Sequence, residues 1–175
     1  MPPPDRAALA VFVQDFAEAT GLGVTSEPFC FGDSPQLADE LAALVRCGLK
    51  RATATTVVEF EHEGVPLPTI GQHSVVYDGI GQPVCVIRTD DLSVGSLDEV
   101  LDPAFAWDDG EGDRSYEDWL AQHAVYWRRV LPNVRHRVHP APGCGARALL
   151  CCLAAAGRSG GSGGARGGVR ASRLD

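Results

Sequence analysis

The chain reads as an α+β domain, and three observations carry that expectation. Three segments place apolar residues at helical spacing between clear start and stop signals. One run, Ala52 to Phe60, is rich in threonine and valine, which favour extended backbone. Two further apolar runs flank a glycine-containing loop in the pattern of a hairpin. A chain of 175 residues has room for one domain with a core of ordinary size.

In chain order, the first helix is expected from Asp5 to Ala19. Asp5 serves as its cap, Leu9, Phe12, Val13 and Phe16 form its packing stripe, and Gly21 stops it. Phe29-Cys30-Phe31-Gly32 leads into the domain. A second helix starts at Ser34 with Pro35 in its first turn, carries Leu37, Leu41, Leu44 and Val45, and stops before Gly48. The β-rich run 52–60 follows, then a Pro/Gly connection over 64–71. His73 to Tyr77 and Pro83 to Thr89 flank Asp78-Gly79-Ile80-Gly81-Gln82 as a hairpin. Leu92 to Ser96 is a strand or loop, and Leu97 to Leu101 a helical turn. Asp108 to Arg114 is a glycine-rich acidic loop. Ser115 opens a third helix bearing Trp119, Leu120, His123, Tyr126, Trp127 and Val130, which Pro132 should end. His123 on that face is expected to be a satisfied core histidine.

Residues 1–134 carry 8 basic and 22 acidic side chains, a net of −14. Residues 135–175 carry 7 arginines and one acid, a net of +6. This reversal marks 135–175 as an atypical Arg/Gly/Ala-rich tail, distinct from a domain over 29–134 and an N-terminal helix over 1–28 that packs on it. The tail looks like GC-rich coding sequence read in the wrong frame, so a frame shift near residues 133–136 is our expectation. The composition predicts that 135–175 is largely disordered, and disordered throughout from Ala165 onward. Ala148 to Ala156 is apolar but too short to span a bilayer, and reads as a strand or short helix. The start lacks the basic and apolar segments of a signal peptide, which makes the cytoplasm the expected location.

Six cysteines (30, 47, 85, 144, 151 and 152) show no CxxC pair and read as free thiols, with no zinc site. Asp109, Glu111 and Asp113 lack the later ligands of a calcium loop and read as solvated acids. No metal and no cofactor are expected.

One residue stands out for its rarity. Lys50 is the only lysine, against fourteen arginines. Unlike arginine, a buried lysine can have its pKa brought towards neutrality and act as a base. The plainer alternative is that Lys50 only complements the end of the second helix and that Thr53 and Thr55 are ordinary strand residues.

Several separated motifs occur in a recognisable order: Phe31-Gly32-Asp33-Ser34, Leu37-Ala-Asp-Glu-Leu41, Gly48-x-Lys50-x-Ala52-Thr53, Gly71-x-x-Ser74-Val75, Pro83-Val-Cys-Val-Ile87 and Glu111-Gly-Asp-Arg-Ser115 with Trp119. Over about residues 29–131 the chain resembles the ASCH superfamily, in particular its longer bacterial subgroup. The resemblance implies a PUA-like curved antiparallel β-barrel with flanking helices. The usual last strand has no recognisable counterpart after Asn133. It also implies a cleft at the Gly48-x-Lys50 turn that takes RNA or a modified nucleoside, with no membrane partner. Short members hydrolyse N4-acetylcytidine, which carried onto this chain makes Lys50, Thr53 and Glu111 the catalytic set. Thr53 would attack the acyl carbon while neutral Lys50 takes its proton. Ligand contacts would fall on Phe31, Gly32, Asp33, Ser34, Arg51, Thr55 and Arg114; Trp107, beside the acidic loop, could stack on a base or equally cap the core. The alternatives are a non-catalytic RNA-binding module and a ribonuclease. The acidic balance of 1–134 favours a nucleoside over a long polyanion.

Overall fold

The computed structural model describes residues 1–24, 27–135 and 147–156. Its elements are α1 (Arg6–Thr20), α2 (Pro35–Arg46), β1 (Ala52–Thr56), α3 (Val57–Glu63), β2 (His73–Tyr77), β3 (Pro83–Ser96), α4 (Leu97–Val100), α5 (Pro103–Asp109), α6 (Tyr116–Arg135) and β4 (Arg147–Ala156). The α+β class and the antiparallel sheet are those the sequence implied. Sheet order is β1-β4-β3-β2, so β1 and β2 are the two edges and the barrel is not closed among the described residues.

Capping chemistry explains where the helices begin. Asp5 accepts from the amides of Ala7 and Ala8, and the Ser34 hydroxyl accepts from Leu37 N at 3.2 Å. The expected strand over 52–60 is cut short at Thr56. There the Thr56 hydroxyl accepts from Glu59 N while a Glu59 oxygen accepts from Thr56 N at 2.9 Å. This reciprocal Thr-x-x-Glu box starts α3 despite the β-branched Val57 and Val58. A second helix that the sequence did not announce, α5, has Asp102 as cap and Pro103 in its first turn. α6 passes through Pro132 to Arg135. The proline falls in its last turn, where the missing N–H removes a single helical bond.

The hairpin β2–β3 pairs Val75 with Val86, and Ser74 with Ile87. Alternation then sorts the two faces. Val75 and Val86 pack with Phe16 of α1, whereas Val76 and Ile87 pack with Phe31, Leu41, Ala42 and Val45 around α2. A third cluster joins Ala52 of β1 to Leu101, to Phe105 and Ala106 of α5, and to Trp119 of α6. That cluster is the floor of the site described below.

The run 148–156, left open between strand and helix, is the strand β4. It pairs Ala52 to Thr56 on one side and Val86 to Ser96 on the other, all antiparallel. The ladder thus includes a strand after Asn133, where the sequence offered no recognisable counterpart of the usual last one. The expected disorder from Ala165 onward lies outside the described residues; the frame shift expected near 133–136 falls where α6 ends at Arg135, the last described residue before position 147.

Because β4 stands between β1 and β3, deleting 147–175 takes out the strand that joins them. Both neighbours then have unpaired edges, which invite aggregation. The expected outcome is loss of cooperative thermal unfolding together with aggregation by light scattering. A truncated protein that melts like the full chain would refute this.

Candidate functional site around Lys50

The backbone after α2 sets the site. Gly48 takes a left-handed turn (φ 76°), and the Leu49 and Lys50 amides both return to Leu44 O at 3.0 and 3.1 Å. Opposite, α5 ends at Asp109, and Gly110 turns away with φ 75°. A Cβ on Gly110 would stand 2.4 Å from Leu49 O, so only glycine allows the two turns to pack this closely.

The Lys50 side chain is buried between them. Its ammonium donates to Asp109 Oδ1, to Glu111 Oε1 at 2.6 Å, and more weakly to the Asp109 carbonyl at 3.4 Å. Three protons thus meet three acceptors. The charge also lies against the C-terminal carbonyl of α5, where a cation is favoured. The helix end that Lys50 complements is therefore that of α5, not of α2. Phe31 lies beneath, with its ring centroid 5.4 Å from Nζ.

Asp109 is the centre of this network. It is fully buried, which corrects its expected place as a solvated loop acid. The cause is α5, which puts Asp109 at a helix end facing the core. Its Oδ2 accepts from Trp119 Nε1 and lies 3.8 Å from His123 Nε2. The His123 ring stacks on Trp119 at 3.6 Å between centroids, and its Nδ1 is 3.0 Å from Trp119 O. A carbonyl only accepts, so Nδ1 carries the proton and, in the neutral ring, Nε2 holds the lone pair.

Electrostatics sort the roles. Burial works to lower the Lys50 pKa, but Asp109 and Glu111 overcome it and raise the pKa above the ordinary lysine value. Lys50 is thus held as a cation, contrary to the neutral base expected from its rarity. Burial pushes His123 the other way, below 6.5, against the pull of Asp109 and Glu111. At neutral pH the site contains a fixed ammonium and a neutral imidazole.

The remaining expected residues separate into groups. Lys50 and Glu111 meet. Thr53 is not among the partners of Lys50. Ala52 and Ala54 pack towards Trp119, so alternation turns Thr53 and Thr55 to the other face of β1. Thr55 donates to Glu59 Oε2 at 3.0 Å. Three residues of the 31–34 motif are structural: Phe31 is core, Gly32 (φ 68°) packs against Leu37, and Ser34 caps α2. Asp33 pairs with Arg129 at 2.6 Å. Arg51 pairs with Asp108, and Arg114 lies on Trp107. The residues missed from sequence are Asp109, Trp119 and His123. The i, i+4 spacing of Trp119 and His123 on one helix was the signal available, once Asp102-Pro103 is taken as a helix start.

Asp109, Glu111 and His123 have ligand atoms within 4.8 Å of one another, the donor set for a divalent ion. Both carboxylates of that set are already bonded to the Lys50 ammonium. Two cavities, of about 200 Å³ beside Asp39 and Arg46 and about 230 Å³ beside Asp91 and Phe105, include neither Lys50 nor Glu111. The space around Lys50 Nζ is taken up by Asp109, Glu111 and the Phe31 ring. Glu111, with its side chain 18% exposed, is where the Lys50 ion-pair network meets solvent.

A model of the ASCH domain matches residues 27–143. Two crystal structures share the fold. One, of a protein from Enterococcus faecalis, has a TM-score of 0.71 at 24% identity, covering 85% of this chain and 88% of that one. The other, an ASCH domain from Lactobacillus crispatus, has a TM-score of 0.69 at 21% identity, covering 86% and 94%. No curated protein matches the chain.

Lys50→Met strands two carboxylates and is expected to cost about 3–5 kcal/mol in denaturant unfolding at pH 7. Adding Glu111→Gln should return part of that loss. A Lys50→Met protein of wild-type stability would show that the pair carries no weight. The His123 contribution is intact above the unfolded value of 6.5 and is lost as pH falls through its lowered folded value. The slope of stability with pH in that window should flatten in His123→Gln; an unchanged slope would assign it to other groups.

Proposed function

The chain belongs to the ASCH domain family, a PUA-like fold family associated with RNA binding, and on that premise we propose that it binds a nucleobase of RNA or of a modified nucleoside beside Glu111. The observation that supports this is the Lys50–Glu111 contact. It fixes a carboxylate at the surface end of a charged network assembled from residues 61 positions apart. Such a carboxylate is an acceptor held in one orientation, suited to the N–H edge of a base. The −14 balance of residues 1–134 favours a small, uncharged ligand over a long phosphate chain. No helix among the described residues is long and apolar enough to cross a membrane.

A second reading is hydrolysis of an N4-acylated cytidine, favoured by neutral His123. The raised pKa of Lys50 speaks against its taking a proton from Thr53. His123 Nε2 is the acceptor instead: it takes a proton from water as the oxygen adds to the acyl carbon. The C–N4 bond then breaks and the proton passes to N4, giving cytidine and the free acid. The Lys50 ammonium stays charged and orients Glu111.

Calorimetric titration with guanosine, cytidine and N4-acetylcytidine, with chromatography of the last, tests both readings. Glu111→Gln should weaken nucleoside binding about tenfold or more, the scale of one charge-assisted hydrogen bond. A folded protein that binds none of the three would overturn the binding reading. Release of cytidine by wild type and not by His123→Gln would establish hydrolysis; intact N4-acetylcytidine after prolonged incubation would remove it.

A further inference from the structure

Beside the Lys50 network, the same loop builds a second feature. Trp107, on α5 two residues before Asp109, is 54% exposed even with a guanidinium already laid on it. Arg114 Cζ is 3.7 Å from the indole centroid, and Arg114 Nε and Nη2 both donate to the Trp107 carbonyl at 3.0 and 2.8 Å. The guanidinium is therefore held over the ring by two bonds to the carbonyl of the same residue. Among the described residues, Arg114 is the only one other than glycine with positive φ, at 67°. That conformation costs an ordinary side chain about 1–2 kcal/mol. Glycine would fill this backbone more cheaply; here the arginine side chain is anchored by its contacts with Trp107. Arg114 N also donates to Glu111 O at 3.0 Å, which makes Glu111 and Arg114 the two ends of one turn.

From this arrangement we propose that Trp107 and Arg114 form a stacking platform for a nucleobase whose edge turns to Glu111. The inference rests on the binding reading above and adds the ligand's chemistry. An exposed indole capped by arginine offers a flat, polarisable surface on which any base stacks. Glu111, acceptor-only, selects among bases. Guanine, with adjacent N1–H and N2–H donors, fits a carboxylate best. Cytosine offers one amine, and uracil sets two carbonyls around its single N–H. The expected order is guanosine, then cytidine, then uridine. Stacking is uncharged, so nucleoside affinity should be nearly independent of salt.

The test is calorimetry of the full chain with guanosine, cytidine and uridine, and with a guanine-containing single-stranded hexaribonucleotide, at two salt concentrations. Trp107→Ala should weaken guanosine binding about tenfold or more at unchanged thermal stability. Arg114→Gly should also weaken it while keeping the turn, since glycine suits φ 67°. Guanosine bound by wild type and equally by Trp107→Ala overturns the platform and leaves the binding reading standing. Uridine bound as tightly as guanosine overturns the role of Glu111. A wild type that binds no nucleoside and no oligonucleotide overturns both. Between sources of the base, equal affinity for nucleoside and hexamer points to a free nucleoside. A tighter, salt-sensitive hexamer points to an RNA strand.

Discussion

A single buried ammonium holds this domain together where its two halves meet. Lys50 follows α2, Asp109 ends α5, and Glu111 begins the turn that leads to α6. Each would be costly to bury alone, because a lone charge inside a protein loses several kcal/mol of hydration. Together they satisfy one another. Through Asp109 the network reaches Trp119, and through Trp119 it reaches His123. The chemistry of the site and the packing of α5 and α6 are therefore one arrangement and cannot vary separately.

This constraint also accounts for the unique lysine. The slot offers three acceptors around one point, which match the three protons of an ammonium. A guanidinium spreads five donors over a plane and would leave some without partners in so enclosed a space. Rarity in the sequence thus marked a position where arginine could not substitute. Its chemical meaning differs from the first expectation, since the carboxylates keep Lys50 charged. The titratable group left neutral is His123.

The sequence made much of the fold legible and less of the site. Ser34-Pro35 and the hairpin around Gly79 and Gly81 identified their elements, because their determinants are local. Thr56-x-x-Glu59 was equally local but was masked by the β propensity of Val57 and Val58. The Lys50–Glu111 meeting followed from family resemblance and is seen in the structure. Asp109 was misplaced because its burial depends on α5, whose start at Asp102-Pro103 sits beside a conspicuous acidic loop. The position of Thr53 could not be judged from spacing alone. Strand alternation sends it away from Lys50, and that depends on β1 beginning at Ala52, with no turn in between.

The place of β4 has a consequence for how the chain is made. Of the described elements, the strand inside the ladder comes last in the chain, and Ala52 must wait for Cys152, a hundred positions later, before its ladder forms. At about 5–20 residues per second, a ribosome leaves β1 and the far edge of β3 open for several seconds. During that interval the hairpin and the helices packed on it already have their neighbours. The charged slot around Lys50 can assemble earlier, since α5 and α6 precede β4 in the chain. Chain order thus lets the polar centre of this domain form before its sheet.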